Sequence, residues 1–176
     1  MRKEIEAIAL SNNEYFTIQR GIAINPNSDM FWREGIRPHK SLPFVTPPDI
    51  NSFEILTSNS STRKNLNDEG VKHVQGKVIP PFSIICINAG PNCGKVCFTK
   101  VSCAISHYFF AIVVNDKNKL LPRYVFYMFK AALDQIRLMT KGAAVQHILR
   151  SELASLSIPL LNIERQTEII EKGSNA

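Results

Sequence analysis

Pro81-Phe82-Ser83-Ile84-Ile85-Cys86-Ile87-Asn88-Ala89-Gly90-Pro91-Asn92-Cys93-Gly94-Lys95-Val96-Cys97-Phe98-Thr99-Lys100 is the stretch on which the fold turns. Phe82 to Asn88 is a short apolar run rich in isoleucine, which predicts a buried strand. Gly90 to Gly94 is a cluster of turn residues. Lys95 to Lys100 reads as the returning strand, so the whole is a β-hairpin with a longer loop. Pro80-Pro81 marks its N-terminal limit, because proline cannot donate to a central ladder.

Reading toward the C-terminus, Ser106 to Asn115 predicts a second strong strand that ends in the turn cluster Asn115-Asp116-Lys117-Asn118. Pro122 then opens a helix at a position that suits proline. Val125, Phe129, Ala132, Leu133 and Ile136 form its apolar stripe, and Lys141-Gly142 supplies a basic last turn and a glycine cap. Ser151 is expected to cap a short helix. Ser157 to Leu160 is extended, and Ile163 to Ile170 is a final helix that Gly173 stops.

Toward the N-terminus, Val71 to Val78 reads as extended. Residues 57–70 are polar, with Thr62 or Asn65 placed to cap a short helix running toward Gly70. Residues 25–52 are mostly loop, interrupted by an extended Leu42–Val45 and a turn at Pro48-Asp49-Ile50. Tyr15 to Ile24 is a strand with a bend at Gly21, and residues 4–11 are read as a short helix. Strands first and helices last predict an α+β domain: a twisted, mostly antiparallel β-sheet of short strands with C-terminal helices.

At 176 residues the chain suits one domain, or one with a short appendage, and can bury a core without disulfide or metal staples. The apolar run Tyr108–Val114 is far too short to span a bilayer. Met1-Arg2-Lys3-Glu4-Ile5-Glu6 lacks the apolar region of a signal peptide, so a cytoplasmic location without membrane contact is expected. The four cysteines (Cys86, Cys93, Cys97 and Cys103) contain no C-x-x-C pair, and two of them sit in predicted strands. They read as reduced residues packed in or near a sheet, and no metal site is expected.

The net charge of +6 is unevenly spread. Residues 70–150 hold eleven Lys/Arg against two Asp/Glu, a net +9, whereas residues 1–69 sum to −1 and residues 151–176 to −2. Such a section suits a polyanion, since each cation that neutralises a phosphate releases condensed counterion. A basic solvated surface would look the same by charge alone.

Gly90-Pro91-Asn92-Cys93-Gly94-Lys95 invites a phosphate-loop reading and fails it. Three residues rather than four separate the glycines, Val96 stands where Ser or Thr is needed, and a strand follows instead of a helix. The tip could instead present Asn88, Asn92 and Lys95 to base edges or phosphate, or be a plain surface turn. His39, His73, His107 and His147 could suggest catalysis, but no serine or cysteine sits in a nucleophile motif and no paired carboxylates flank a basic cluster. Nuclease metal sites need several carboxylates, and the basic section has only Asp116 and Asp134. No methyltransferase loop appears, so no catalytic residue and no cofactor is expected. Lys141-Gly142-Ala143-Ala144-Val145-Gln146-His147 is small, basic and polar. It serves equally as an interhelical linker or as a reader, with Gln146 on adenine and Lys141 and Arg150 on phosphate.

A resemblance rests on the order of these phrases. Gly76-Lys77-Val78-Ile79-Pro80-Pro81-Phe82-Ser83-Ile84-Ile85 is followed by Gly94-Lys95-Val96, the strand at 106–114 and Leu121-Pro122-Arg123-Tyr124-Val125-Phe126-Tyr127. Next come Gly142-Ala143-Ala144-Val145-Gln146-His147-Ile148, then Ile158-Pro159-Leu160-Leu161, then Glu164-Arg165-Gln166-Thr167-Glu168-Ile169-Ile170. The series resembles the target recognition domain of type I restriction-modification specificity subunits, over about residues 14–172. Leu161 stands where the family carries a second proline, Arg165 separates Glu164 from Gln166, and the N-terminal half matches in outline only.

The resemblance implies a target recognition domain over residues 1–162 and the start of a spacer helix over 163–176. It implies a non-catalytic module that reads one half of a split target in double-stranded DNA. Partner modification subunits would methylate adenine, and restriction subunits would cut. With one recognition domain, the chain looks like a half subunit, able to pair as a homodimer, or like a fragment or a degenerate relative. The candidate DNA contacts are Arg37, Lys40, Arg63, Lys64, Asn88, Asn92, Lys95, Lys100, Lys141, Gln146 and Arg150. Two other classes remain open: the DNA-recognition part of a fused restriction-methyltransferase enzyme, and a protein-binding domain whose basic face meets an acidic partner.

Overall fold

The computed structural model describes residues 5–25, 27, 28, 30–33, 41–142 and 145–174. Its elements run β1 (Ala7–Ala9), β2 (Phe16–Arg20), β3 (Trp32–Arg33), β4 (Leu42–Val45), α1 (Pro47–Ile50), β5 (Ile55–Leu56), β6 (Lys64–Leu66) and α2 (Asp68–His73). They continue β7 (Ile84–Ile87), β8 (Val96–Thr99), β9 (Ala104–Ile105), β10 (Phe109–Val114), α3 (Pro122–Ala131) and α4 (Leu133–Leu138). The last are α5 (Arg150–Ser155), β11 (Ser157–Pro159) and α6 (Ile163–Ser174). The domain is α+β with mostly antiparallel pairing and C-terminal helices, as its sequence predicts.

The expected hairpin is the centre of a five-stranded sheet ordered β2-β10-β7-β8-β5. Every residue of β7 and β8 is buried, and the alternation of a strand sends them to two different cores. Ile84, Cys86, Val96, Phe98, Phe110 and Ile112 face a cluster closed by α3, whose Tyr124, Val125, Phe126 and Phe129 are buried. Ile85, Ile87, Cys97, Phe109 and Ala111 face the opposite cluster with Val45, Ile79 and Ile105. Each fully buried Ile or Phe stabilises by about 1.5–3 kcal/mol, so a sheet apolar on both faces is the main source of stability. The strands are therefore continuous apolar runs rather than alternating ones.

Among the described residues there are three sheets rather than one. A four-stranded sheet, β3-β6-β4-β9, holds the N-terminal loops, and β1 pairs with β11 on its own. Two pairs are parallel, β4 with β9 and β5 with β8.

Residues 5–11 do not fold as the helix expected of 4–11. Ala7–Ala9 is strand, paired antiparallel with Ser157–Pro159, and Ile8 is buried opposite Ile158. A partner some 150 residues away overrides local propensity. Val71–Val78 is not extended either. Asn67, rather than Thr62 or Asn65, caps α2 by accepting the Gly70 N–H at 2.8 Å, and the helix runs through His73 before turning at Gly76. Thr62 instead donates to the Lys64 carbonyl at 2.9 Å. The helix at Pro122 breaks at Ala132 into α3 and α4 and ends at Leu138, short of Gly142. The N-cap of α5 is Leu149, not Ser151. Gly173 lies within α6 rather than after it, because its missing side chain admits the Tyr127 ring: a Cβ there would come within 2.7 Å of it.

All four cysteines are buried as thiols. Cys86 and Cys93 belong to the helix-side cluster and Cys97 and Cys103 to the opposite one. Burial pushes the Cys86 and Cys97 thiols up to about 12. Among the described residues no helix is long and apolar enough to cross a membrane, and no group of metal-ligating side chains gathers.

Candidate nucleic-acid interface

The register of the central sheet brings several segments to one end. Ile87 pairs with Phe109 and Arg20 with Phe110, so the tip after β7, the turn before β10 and the last residue of β2 lie together. Gly90 and Gly94 take positive φ angles of 93° and 88°, which lets the tip double back in one tight loop. Gly94 also packs against Leu133 and Ile136, where an added Cβ would come within 3.4 Å and 3.1 Å of their side chains.

Asn88 is the centre of this end and is buried. Its N–H donates to the Tyr108 carbonyl at 2.8 Å and its side-chain amide to the His107 carbonyl at 3.1 Å. On the other side its carbonyl accepts the Ile148 N–H at 2.9 Å, and the Gly90 N–H donates to the Gln146 carbonyl at 2.8 Å. Lys141 and His147 exchange both backbone hydrogen bonds at 2.9 Å, with Gly142 at φ 106° in the loop they close. The loop after α4 is thus zipped to the hairpin tip, and the tip to the turn carrying His107 and Tyr108. The two rings of that turn lie 4.0 Å apart, and Tyr108 is exposed.

These segments enclose a cleft of about 380 Å³ lined by Arg20, Asn88, Ala89, Phe110, His147, Ile148, Leu149 and Arg150. Phe110 and Ile148 are its buried floor, Arg20 and Arg150 its exposed rim. Arg150 donates to the Ile18 carbonyl at 3.4 Å, which leans it across β2. No lining residue is acidic. Glu152 lies nearby and is already committed. One carboxylate oxygen accepts from Lys141 at 2.7 Å and the other from the Leu149 N–H at 2.8 Å. The Lys141 hydrogen bond first, and the Leu149 amide second, hold this carboxyl below its ordinary 4.5.

The candidate contacts divide accordingly. Gln146 and Arg150 are exposed at this end beside the tip that carries Asn92, while Asn88 lines the cleft with one side-chain N–H committed to the His107 carbonyl. Lys141 is here too, paired with Glu152. Lys95 turns toward a different cleft of about 410 Å³, shared with Glu54 and Lys130, which are paired at 2.8 Å. Lys100 lies past the far end of β8, about 13 Å along the strand from Val96. Lys64 opens β6 of the four-stranded sheet, and Arg63 is the bend before it. The Arg63 N–H donates to Asp49 at 3.0 Å, and the Lys64 ammonium sits 4.6 Å over the Trp32 ring. Arg37 and Lys40, like His39, lie outside the described residues. Sequence reading missed Arg20 and gave His147 no binding role. Only the β2–β10 pairing, across some 90 residues, brings Arg20 here.

Chemically, the end of the sheet offers planar guanidinium donors, an imidazole and an exposed amide above an apolar floor. Guanidinium groups match phosphate or guanine bidentately, and an amide matches adenine.

The fold is that of a target recognition domain, shared with specificity subunits of type I restriction-modification systems. The S subunit from M. genitalium superposes with a TM-score of 0.64 at 17% identity, over 99% of this chain and 40% of that one. The HsdS subunit from Thermoanaerobacter tengcongensis gives 0.66 at 18% identity, over 99% and 37%. The Type I restriction modification DNA specificity domain model matches residues 11–172, and the chain belongs to that family. It is 27% identical over 150 residues to the type I restriction enzyme EcoR124I/EcoR124II specificity subunit of Escherichia coli, covering 82% of this chain and 34% of the relative. The chain therefore spans about a third of the length of that relative.

Proposed function

We propose that this domain binds double-stranded DNA sequence-specifically, as the reading module of a type I restriction-modification specificity subunit, and that it contacts one half of a split target. The observation that carries the reading is the cleft rimmed by Arg20, His147 and Arg150, with Gln146 and the 88–92 tip zipped against it. Arginines on its rim hold phosphates and set the register, while Gln146, Asn92 and a guanidinium read base edges. Lys64, Arg63 and Lys100, away from this end, are left at most an outlying role on phosphate. The module itself performs no chemistry. Methyltransferase and restriction subunits supply it in the cytoplasm, and residues 163–176 begin the spacer to the second half-target, read by another module or by a second copy of this chain.

Selection of bound sequences from a random duplex pool tests the reading. An enriched motif of a few base pairs, with affinity that falls steeply as salt rises, is expected. No enrichment, or retention by heparin and duplex DNA alike, would favour an acidic protein partner. Magnesium-dependent cleavage or binding of adenosylmethionine by the isolated chain would favour the fused-enzyme class.

A further inference from the structure

Gln166 is fully buried on a helix whose neighbouring positions Glu164, Arg165, Thr167 and Glu168 are exposed. Its oxygen accepts the Leu121 N–H at 2.8 Å, and its amide nitrogen donates to the carbonyls of Lys119 and Leu161, each at 2.8 Å. A primary amide offers an acceptor oxygen and two donor hydrogens, and both kinds of group are used. The groups it meets stand at two helix starts: the Leu121 N–H at the N-cap of α3, which that helix leaves without a partner, the Lys119 carbonyl ahead of it, and the Leu161 carbonyl just before α6. One side chain thus ties the start of α6 to the start of α3.

A second attachment lies about two turns further on. Gly173 sits under the Tyr127 ring, and the Ser174 hydroxyl lies 3.2 Å from both the Tyr127 hydroxyl and the Arg123 guanidinium. Ile169 and Ile170 pack on the helix-side core between the two points. The helices therefore run side by side in the same sense, held at both ends.

We propose that Gln166 is a positioning residue that fixes the direction in which α6 leaves the domain. No other side chain makes the same three bonds. Glutamate at this place would aim a carboxylate at two carbonyls, methionine would leave all three groups unpaired, and asparagine is one carbon too short. The geometry stands whether or not the cleft meets DNA; its bearing on half-target spacing rests on the reading of α6 as the start of a spacer.

The test uses the full chain with cysteines introduced at the exposed positions Gln75 and Lys172 and labelled with nitroxides, the four native thiols being buried. The unaltered background is expected to give one narrow distance. Gln166→Met and Gln166→Asn should spread it into several, while amides of β7 and β10 keep their protection. Amides of α6 should exchange roughly ten- to a hundredfold faster, the equivalent of losing buried hydrogen bonds. A residue that only added stability would lower the melting temperature and leave the distance narrow well below it. Retention of the native distance in the variants overturns the proposal; if Gln166→Met does not fold, Gln166→Asn alone decides.

Discussion

The Ile148 amide donates to the Asn88 carbonyl at 2.9 Å, joining two loops that are separated by 60 positions in the chain. That bond, with the Gly90–Gln146 bond beside it, makes a single surface of what the sequence presents as two unrelated turns.

Arg20 and Arg150 sit on the rim of this surface, and Lys100 lies at the opposite end of β8. Arg20→Ala and Arg150→Ala should each weaken duplex binding and flatten the dependence of log K on log salt by about 0.9 for each phosphate no longer neutralised. Lys100→Ala should change neither. Fluorescence anisotropy titrations at several salt concentrations measure both quantities. An effect confined to Lys100→Ala would move the DNA-facing surface to the other end of the sheet.

Asn88→Ala removes the side chain that reaches the His107 carbonyl from the hairpin tip. The carbonyl is left without that partner, at a cost of about 1–3 kcal/mol. Urea denaturation should show a lower midpoint with an unchanged slope. An unshifted midpoint would mean the amide is dispensable to the fold and available to a ligand.

The folded Glu152 carboxyl titrates below its ordinary 4.5, because Lys141 and the Leu149 amide favour its charged form. Its contribution is therefore complete above the unfolded value and disappears as pH falls through the depressed folded value. Amide exchange at Lys141, His147 and Leu149 should accelerate in acid below about pH 4.5, relative to intrinsic rates. Glu152→Gln should already show the faster exchange at neutral pH and little further change in acid.

Gly21 accepts no side chain: a Cβ would lie 2.0 Å from the Ser106 carbonyl oxygen. Gly21→Ala should cost roughly 3 kcal/mol or more, in the range of severe core defects. Gly76, at φ 80° with nothing within 4 Å of its added Cβ, should lose only the about 1–2 kcal/mol of a left-handed backbone when changed to alanine. Thermal melts of the two variants rank them directly.

The hairpin 82–100, the strand before Asn115 and the helix at Pro122 are legible because their signals are local: apolar runs, turn glycines and a proline at a helix start. Ala7–Ala9 is not, because its strand exists only through Ser157–Pro159. The α2 helix is hidden because three valines in residues 71–78 suggest a strand, while the deciding cap at Asn67 looks like one more polar loop residue. At the candidate site, Gln146 and Arg150 are readable as polar residues in and beside a small-residue loop. Arg20 is invisible, since its place depends on the pairing of β2 with β10. Asn88 has the chemistry of a base reader, and its place in the fold, with one side-chain N–H on the His107 carbonyl, is set by a pairing that its sequence neighbours do not announce.

Ala7–Ala9 and Ser157–Pro159 stand some 150 residues apart in the chain and lie side by side in the fold. There the chain closes on itself, its two strands hydrogen-bonded to each other, before α6 carries it onto α3. The stretch of chain between the two strands is thus a loop clasped at its base, and prising one strand loose releases the other with it.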